Sequence, residues 1–257
     1  MKKEVREQRT MTKTKLYNED CLIVMGEMIE AGKQVNAIIT SPPYNLNLRV
    51  NKGRYVRHKH DLSNIINTKY QNYQDNLSMD EYFDFQKSFI EKALQVSDLM
   101  FYNIQMVSGN KIALLELLGY FSKDIKEIII WDKMRAAPAI LAGGLNSQFE
   151  LVVVFDKHKP YNRSFDKAFF GRGTLPNIWR IAKENNAAIK AGFPQKLVEC
   201  ILLNFTEQSD LILDPFMGSG TTGVVCKRMG YDFMGIELDK YYFDIAKKRI
   251  RNTMTGG

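Results

Sequence analysis

The chain has 257 residues, 45% of them hydrophobic, which suits one sizeable core and a single α/β domain carrying insertions better than two domains. Lys and Arg number 36 against 29 Asp and Glu, a net charge of +7; this suits a polyanionic partner, and a solvated basic surface is the plainer account. Cys21, Cys200 and Cys226 stand singly with no CxxC pair, which excludes a disulfide framework and a zinc site and places the chain in a reduced, cytoplasmic setting.

The basic start MKKEVREQRTMTKTK is followed by no apolar h-region, and no apolar run reaches membrane length, so neither export nor a membrane span is expected. In chain order, VNAIIT (35–40) reads as a strand, MDEYFDFQKSFIEKAL (79–94) as a helix, and LMFYNI (99–104), IKEIIIW (125–131) and FELVVVF (149–155) as strands. QKLVECILLNF (195–205) has helical periodicity, DLILD (210–214) is a strand, TTGVVCKRMG (221–230) a helix, YDFMGIE (231–237) a strand, and DKYYFDIAKKRI (239–250) a helix. The strands are expected to be buried and parallel, and their alternation with helices implies a three-layer α/β fold with helices on both faces of the sheet. Two basic stretches, 45–76 and 156–190, break the rhythm and are expected to be functional inserts within the one domain 1–257. His58, His60 and His158 lack metal-site spacing and read as surface residues, so no metal is expected.

TSPPYN (40–45) stands where the first strand ends, which is where open α/β sheets place ligands. Pro42 and Pro43 fix φ and remove backbone donors, leaving rigid carbonyls as acceptors. Ser41 and the Pro42 carbonyl could each accept one hydrogen of an exocyclic amine, while Tyr44 offers a flat face to a flipped base. An ordinary proline turn is the alternative.

In LILDPFMGSGTTG (211–223), Gly218, Gly220 and Gly223 match GxGxxG and Glu237 ends the next strand, as in a dinucleotide site. Asp214 argues otherwise, because a carboxylate ahead of the glycines suits a cation better than a pyrophosphate. The ammonium of S-adenosylmethionine is such a cation, and Glu237 could take its ribose hydroxyls. A nucleoside triphosphate is excluded by Thr221 and Thr222, which stand where a phosphate-binding loop needs Lys.

TSPPY together with DPFMGSGTT resembles the amino-methyltransferase family of DNA modification enzymes, and the order of the two motifs is similar to the circularly permuted β class. The resemblance implies S-adenosylmethionine as cofactor and duplex DNA as partner; whether the chain pairs as a homodimer is left open. It also implies cofactor contacts from Asp20 and Cys21 in LYNEDCL, from Pro215, Phe216, Gly218, Ser219, Gly220, Thr221 and Thr222, and from Leu238 beside Glu237. FPQKLVECIL (193–202) resembles another cofactor segment, adding Phe193, Gln195 and Lys196; IIIWDK and QFELVVVF resemble paired strands in which the usual His-Glu is Phe149-Glu150. Methyl transfer would be direct, since no cysteine follows a proline as carbon-5 chemistry requires. Ser41 in place of Asp resembles cytosine-N4 enzymes; Asn45 and family association lean to adenine-N6. Phosphate contacts are expected from Arg49, Lys52, Arg54, Arg57 and Lys59 in one insert and Arg163, Lys167, Arg172 and Arg180 in the other. An amino-methyltransferase of RNA or protein amides, and a catalytically silent DNA-binding module, remain the other classes.

Overall fold

A computed structural model describes residues 12–46, 50–51, 54–55, 76–137, 143–158, 162–184 and 193–254. Their elements run β1 (Thr14–Tyr17), α1 (Cys21–Glu30), β2 (Ala37–Thr40), β3 (Val50–Asn51), β4 (Arg54–Tyr55), α2 (Met79–Val96), β5 (Leu99–Ile104) and α3 (Lys111–Tyr120). They continue through β6 (Ile125–Ala137), β7 (Ser147–Asp156), β8 (Ile178–Arg180), α4 (Gln195–Phe205), β9 (Leu211–Asp214), α5 (Thr221–Met229), β10 (Asp232–Ile236) and α6 (Lys240–Asn252). The three-layer α/β expectation holds. One sheet of the described residues has the order β1-β10-β9-β2-β5-β7-β6-β8, with β3 and β4 as a separate hairpin.

The expectation of parallel strands fails for FELVVVF: β7 runs antiparallel to both β5 and β6. A strand buried on both faces is an apolar run whichever way it points, so its direction is set by the connection, and β7 returns directly from β6. Successive residues of β2 serve opposite layers. Ile38 joins Met25, Phe89 and Met100 beneath α1–α3, whereas Ile39 joins Phe101, Val198 and Phe233 beneath α4–α6. Each fully buried side chain of this size stabilises the fold by roughly 1.5–3 kcal/mol.

Local signals fix the helix starts. Ser78 and Glu81 form a reciprocal capping box on α2, Asp20 caps α1 through Leu22 N–H, and Asp239 caps α6 through Tyr241 and Tyr242 N–H. Gly220 opens α5 at φ 83°, and a Cβ there would sit 2.9 Å from Ala246 Cβ. A Cβ at Gly223 would meet Ile250 and Phe233 more closely still, at 2.5 Å. These two glycines let α5 pack on α6 and β10, and Gly218 is left to face the ligand side. No described helix is long and apolar enough to cross a membrane.

The chain leaves β2 toward β5 on one side and β9 toward β10 on the other, while β2 and β9 are direct neighbours. This is a topological switch point, and the crevice lies beyond the carboxyl ends of β2 and β9.

Candidate active site

Thr40 ends β2 and Asp214 ends β9, and the Thr40 hydroxyl donates to Asp214 Oδ1 at 2.8 Å across the switch point. Thr222 donates to Oδ2 at 2.6 Å and Phe216 N–H to Oδ1 at 3.2 Å. The turn that follows β2 is clamped on its far side. Tyr82 and Gln86 of α2 donate to the Pro43 carbonyl at 2.8 and 3.3 Å, and Asn110 donates to the Tyr44 carbonyl at 2.9 Å. Asn45 is buried at φ 57°, and its amide donates to the carbonyls of Leu77 (2.9 Å) and Gly109 (2.7 Å). Asn45 therefore anchors the turn and reads no ligand with that nitrogen.

Two adjoining cavities occupy the crevice. The larger, about 220 Å³, is lined by Ser41, Pro42, Pro43 and Tyr44 from the first turn. Asp214, Phe216, Gly218, Ser219, Thr221 and Thr222 from the glycine turn, with Phe193, close it on the other side. The smaller, about 90 Å³, is lined by Asp20, Cys21, Pro215, Glu237 and Leu238. Ser41, Pro43, Phe216 and Gly218 border both, so one elongated ligand can occupy the two. Phe216 is held edge-on against Phe89, with ring centres 4.8 Å apart.

Not every expected residue joins the cavities. Gly220 packs against α6, as above. Gln195 and Lys196 lie in the first turn of α4, where the Gln195 side chain bonds Arg228 and Glu184 and Lys196 pairs with Glu199 at 3.2 Å. The motif pattern also missed residues that the fold brings in. Gln105, Glu150 and Lys183 line the larger cavity, and Phe85 and Asp239 the smaller. Glu150 had been visible only as the partner of the unusual Phe149; its position follows from the β6–β7 register, which sets it opposite Trp131.

The cavity is rich in buried acid. Burial raises Asp214 from its ordinary 3.8 to about 6, moderated by Thr222 and Thr40, and raises Glu237 from 4.5 to about 7. Glu237 Oε2 accepts from Gly218 N–H and Oε1 from Asp239 N–H, both at 2.8 Å. Among the described residues neither carboxylate has an ion-pair partner, which leaves their charge for a cationic ligand to balance. S-adenosylmethionine fits this donor set: an ammonium for Asp214, ribose hydroxyls for Glu237 and an apolar slot at Phe85, Phe216 and Leu238 for the adenine ring. Burial pushes the Cys21, Cys226 and Cys200 thiols upward, away from the nucleophilic thiolate form. No group of acids, His and Cys among the described residues could hold a metal ion.

The basic side chains divide by position. Arg163 pairs with Glu127 near the start of β6, and Lys167 with Asp210, just before β9, at 3.5 Å. Asp210 is four residues from Asp214, so Lys167 sits roughly 13 Å away, at the opposite end of the strand from the cavity. Arg180 lies 3.7 Å from Asp132, on the cavity half of β6, and Arg172 is exposed. Arg163 and Lys167 thus stand apart from Arg180. Arg49, Lys52, Arg57 and Lys59 lie outside the described residues, as do His58, His60 and the side chain of Arg54.

A mostly parallel α/β sheet carries an acidic glycine turn and a Ser-Pro-Pro-Tyr turn that meet at its switch point, and this is the fold of solved DNA methyltransferases. Residues 35–248 match the DNA methylase family, and the chain belongs to it. A Type II methyltransferase of Lactococcus lactis subsp. cremoris, M2.LlaDCHI, is 34% identical over 139 residues, which are 50% of this chain and 52% of that protein. The chain spans about half the length of the first curated relatives it matches. The PvuII DNA methyltransferase, described as cytosine-N4-specific, shares the fold with a TM-score of 0.64 at 20% identity, covering 93% of this chain and 87% of that one. A complex of M1.HpyAVI with S-adenosylmethionine shares it with a TM-score of 0.60 at 22% identity, covering 92% and 99%.

Proposed function

We propose that the chain transfers the methyl group of S-adenosylmethionine to the exocyclic amine of a base extruded from duplex DNA. The observation that carries this reading is the convergence of Ser41 and Asp214 on one cavity: an amine-binding turn and a cation-binding turn face each other across it. The methylase family to which the chain belongs supports the same reading.

Bound S-adenosylmethionine supplies an electrophilic methyl group on a sulfonium. Asp214, Gly218 and Ser219 hold its amino-acid end, Glu237 the ribose, and Asp20, Cys21, Phe216 and Leu238 the adenosine. With the Pro43 carbonyl already taken by Tyr82 and Gln86, the amine is held by Ser41 Oγ and the Pro42 carbonyl. Two acceptors on its hydrogens would localise the nitrogen lone pair and stabilise positive charge as the N–C bond forms and the methyl–sulfur bond breaks, the sulfur leaving as a neutral thioether and the surplus amine proton passing to solvent. Tyr44 stacks on the base and holds amine and methyl in line. Arg180, Arg172 and the basic residues between positions 49 and 59 contact phosphates. Adenine-N6 is the first assignment, by family association. Cytosine-N4 is the second, favoured by Ser41 itself and by the use of Asn45 as an anchor.

Single-turnover methylation of duplex DNA by the purified chain tests the reading. Ser41→Ala removes one acceptor and lowers the transfer rate by about 2–4 kcal/mol, at unchanged affinity for S-adenosylmethionine. Wild-type rates in Ser41→Ala and Tyr44→Ala together would reduce TSPPYN to a structural turn. Transfer to RNA or protein in place of DNA would reassign the substrate.

A further inference from the structure

A phenol carries one proton, and the Tyr44 hydroxyl has three polar neighbours. Ser41 Oγ lies at 2.8 Å, Glu150 Oε2 at 2.9 Å and Asn103 Oδ1 at 3.1 Å. The Asn103 amide is oriented, because its nitrogen donates to the Leu151 carbonyl at 3.1 Å, so the atom facing Tyr44 is an acceptor. Ionised Glu150 is also an acceptor only. If the phenol proton pointed at Ser41, both of these oxygens would face phenol lone pairs with no hydrogen between them. The proton therefore goes to Glu150 or to Asn103, and in either case Ser41 donates its own proton to Tyr44. Ser41 then has only lone pairs left for the cavity.

Glu150 is fixed in this part by two lysines. Lys133 Nζ, itself buried, lies 3.4 Å from Oε1, and Lys183 Nζ lies 3.6 Å from the same oxygen. The ammonium groups claim Oε1 and leave Oε2 to the phenol. Burial, and after it the Glu150 charge, push the Tyr44 phenol well above its ordinary value, so it keeps its proton.

We propose that Glu150, with the Asn103 oxygen beside it, is a positioning residue for methyl transfer: these two acceptors set the direction of the Ser41–Tyr44 hydroxyl pair so that Ser41 meets the substrate amine as an acceptor. This rests on the reading of Ser41 as the amine's partner. The competing role for Glu150 is that of a counter-ion for buried Lys133 and nothing more.

The two roles differ in how Glu150 and Tyr44 variants combine in an Asn103→Leu parent chain, where Glu150 is the one acceptor left to the phenol besides Ser41. In Glu150→Gln the ammonium groups keep the amide oxygen on their side, so the amide NH₂ donates to Tyr44 and turns the phenol proton toward Ser41. The single-turnover rate at saturating DNA and S-adenosylmethionine then falls about 100-fold. Tyr44→Phe keeps the ring and removes that proton, so the rate lies only about tenfold below that of the parent chain, roughly one hydrogen bond, with or without Glu150→Gln. Glu150→Gln/Tyr44→Phe is thus faster than Glu150→Gln alone, while calorimetric affinity for S-adenosylmethionine and the KM for DNA stay at wild type in all three. If Glu150→Gln strands Lys133 and fails to fold, Lys133→Met/Glu150→Gln balances the charge, Lys183 still orients the amide, and the same ordering is expected. A double variant as slow as Glu150→Gln, or slower, overturns the proposal and leaves Glu150 a counter-ion. A wild-type chain that transfers no methyl group overturns the function and this proposal together.

Discussion

Gly218 N–H donates to Glu237 Oε2 at 2.8 Å, so the glycine turn after β9 is tied to the acid that follows β10. Asp239 N–H occupies the other oxygen at the same distance. Glu237→Gln places an NH₂ against one of these N–H groups and removes an acceptor from the cofactor ribose. Affinity for S-adenosylmethionine should fall by about 1–3 kcal/mol in calorimetry. Affinity within twofold of wild type would remove Glu237 from the cofactor site.

Burial raises both Asp214, to about 6, and Glu237, to about 7, in the ligand-free protein. The sign follows from linkage. A raised carboxyl contributes stability in full below its unfolded value near 4, and that contribution is lost as pH rises through 6 to 7. A cationic ligand favours the ionised forms, so binding should release protons and tighten from pH 5.5 toward pH 7.5. The proton release appears in calorimetry as a dependence of the binding enthalpy on buffer ionisation enthalpy, and Glu237→Gln should reduce it. Proton uptake on binding would contradict the electrostatic account.

Gly220→Ala forces a side chain into the left-handed region and against Ala246. The strain of about 1–2 kcal/mol and overpacking of about 1–3 kcal/mol should lower the Tm by several degrees. Gly143, at φ 79° with open space around it, carries the strain alone, so Gly143→Ala should cost less. Equal shifts would show that the α5–α6 contact relaxes freely.

The position of the basic residues predicts unequal DNA contacts. Arg180→Gln should flatten the slope of log affinity against log salt by about 0.9, whereas Arg163→Gln and Lys167→Gln should leave it unchanged. Filter binding between 50 and 200 mM salt, the range set by about 6–10 phosphate contacts, resolves the difference. Equal slopes for all three would place DNA on the far end of the sheet.

Much of this fold was legible because long buried strands and amphipathic helices carry their own periodicity. LMFYNI is β5 residue for residue, and 195–205 is α4. Strand direction was not legible in FELVVVF, since apolar runs do not encode it, and the three-residue β8 was too short to carry a pattern. The two turns of the candidate site were readable as local motifs. Glu150, Lys183 and Gln105 were not, because strand register and a long connection bring them to the cavity. Gly220 and Gly223 matched a ligand-binding pattern and serve packing, because a fingerprint does not say which glycine faces the ligand.

If the two turns make an amine methyltransferase of DNA, the product nucleoside will show it. Unmodified duplex DNA is incubated with the purified chain and S-adenosylmethionine carrying a deuterated methyl group, digested to nucleosides and analysed by mass spectrometry. The account predicts labelled N6-methyladenine, with labelled N4-methylcytosine as the product if the second assignment holds, and loss of either signal in Ser41→Ala. Labelled 5-methylcytosine, or no labelled nucleoside from a folded chain that binds S-adenosylmethionine, would contradict it.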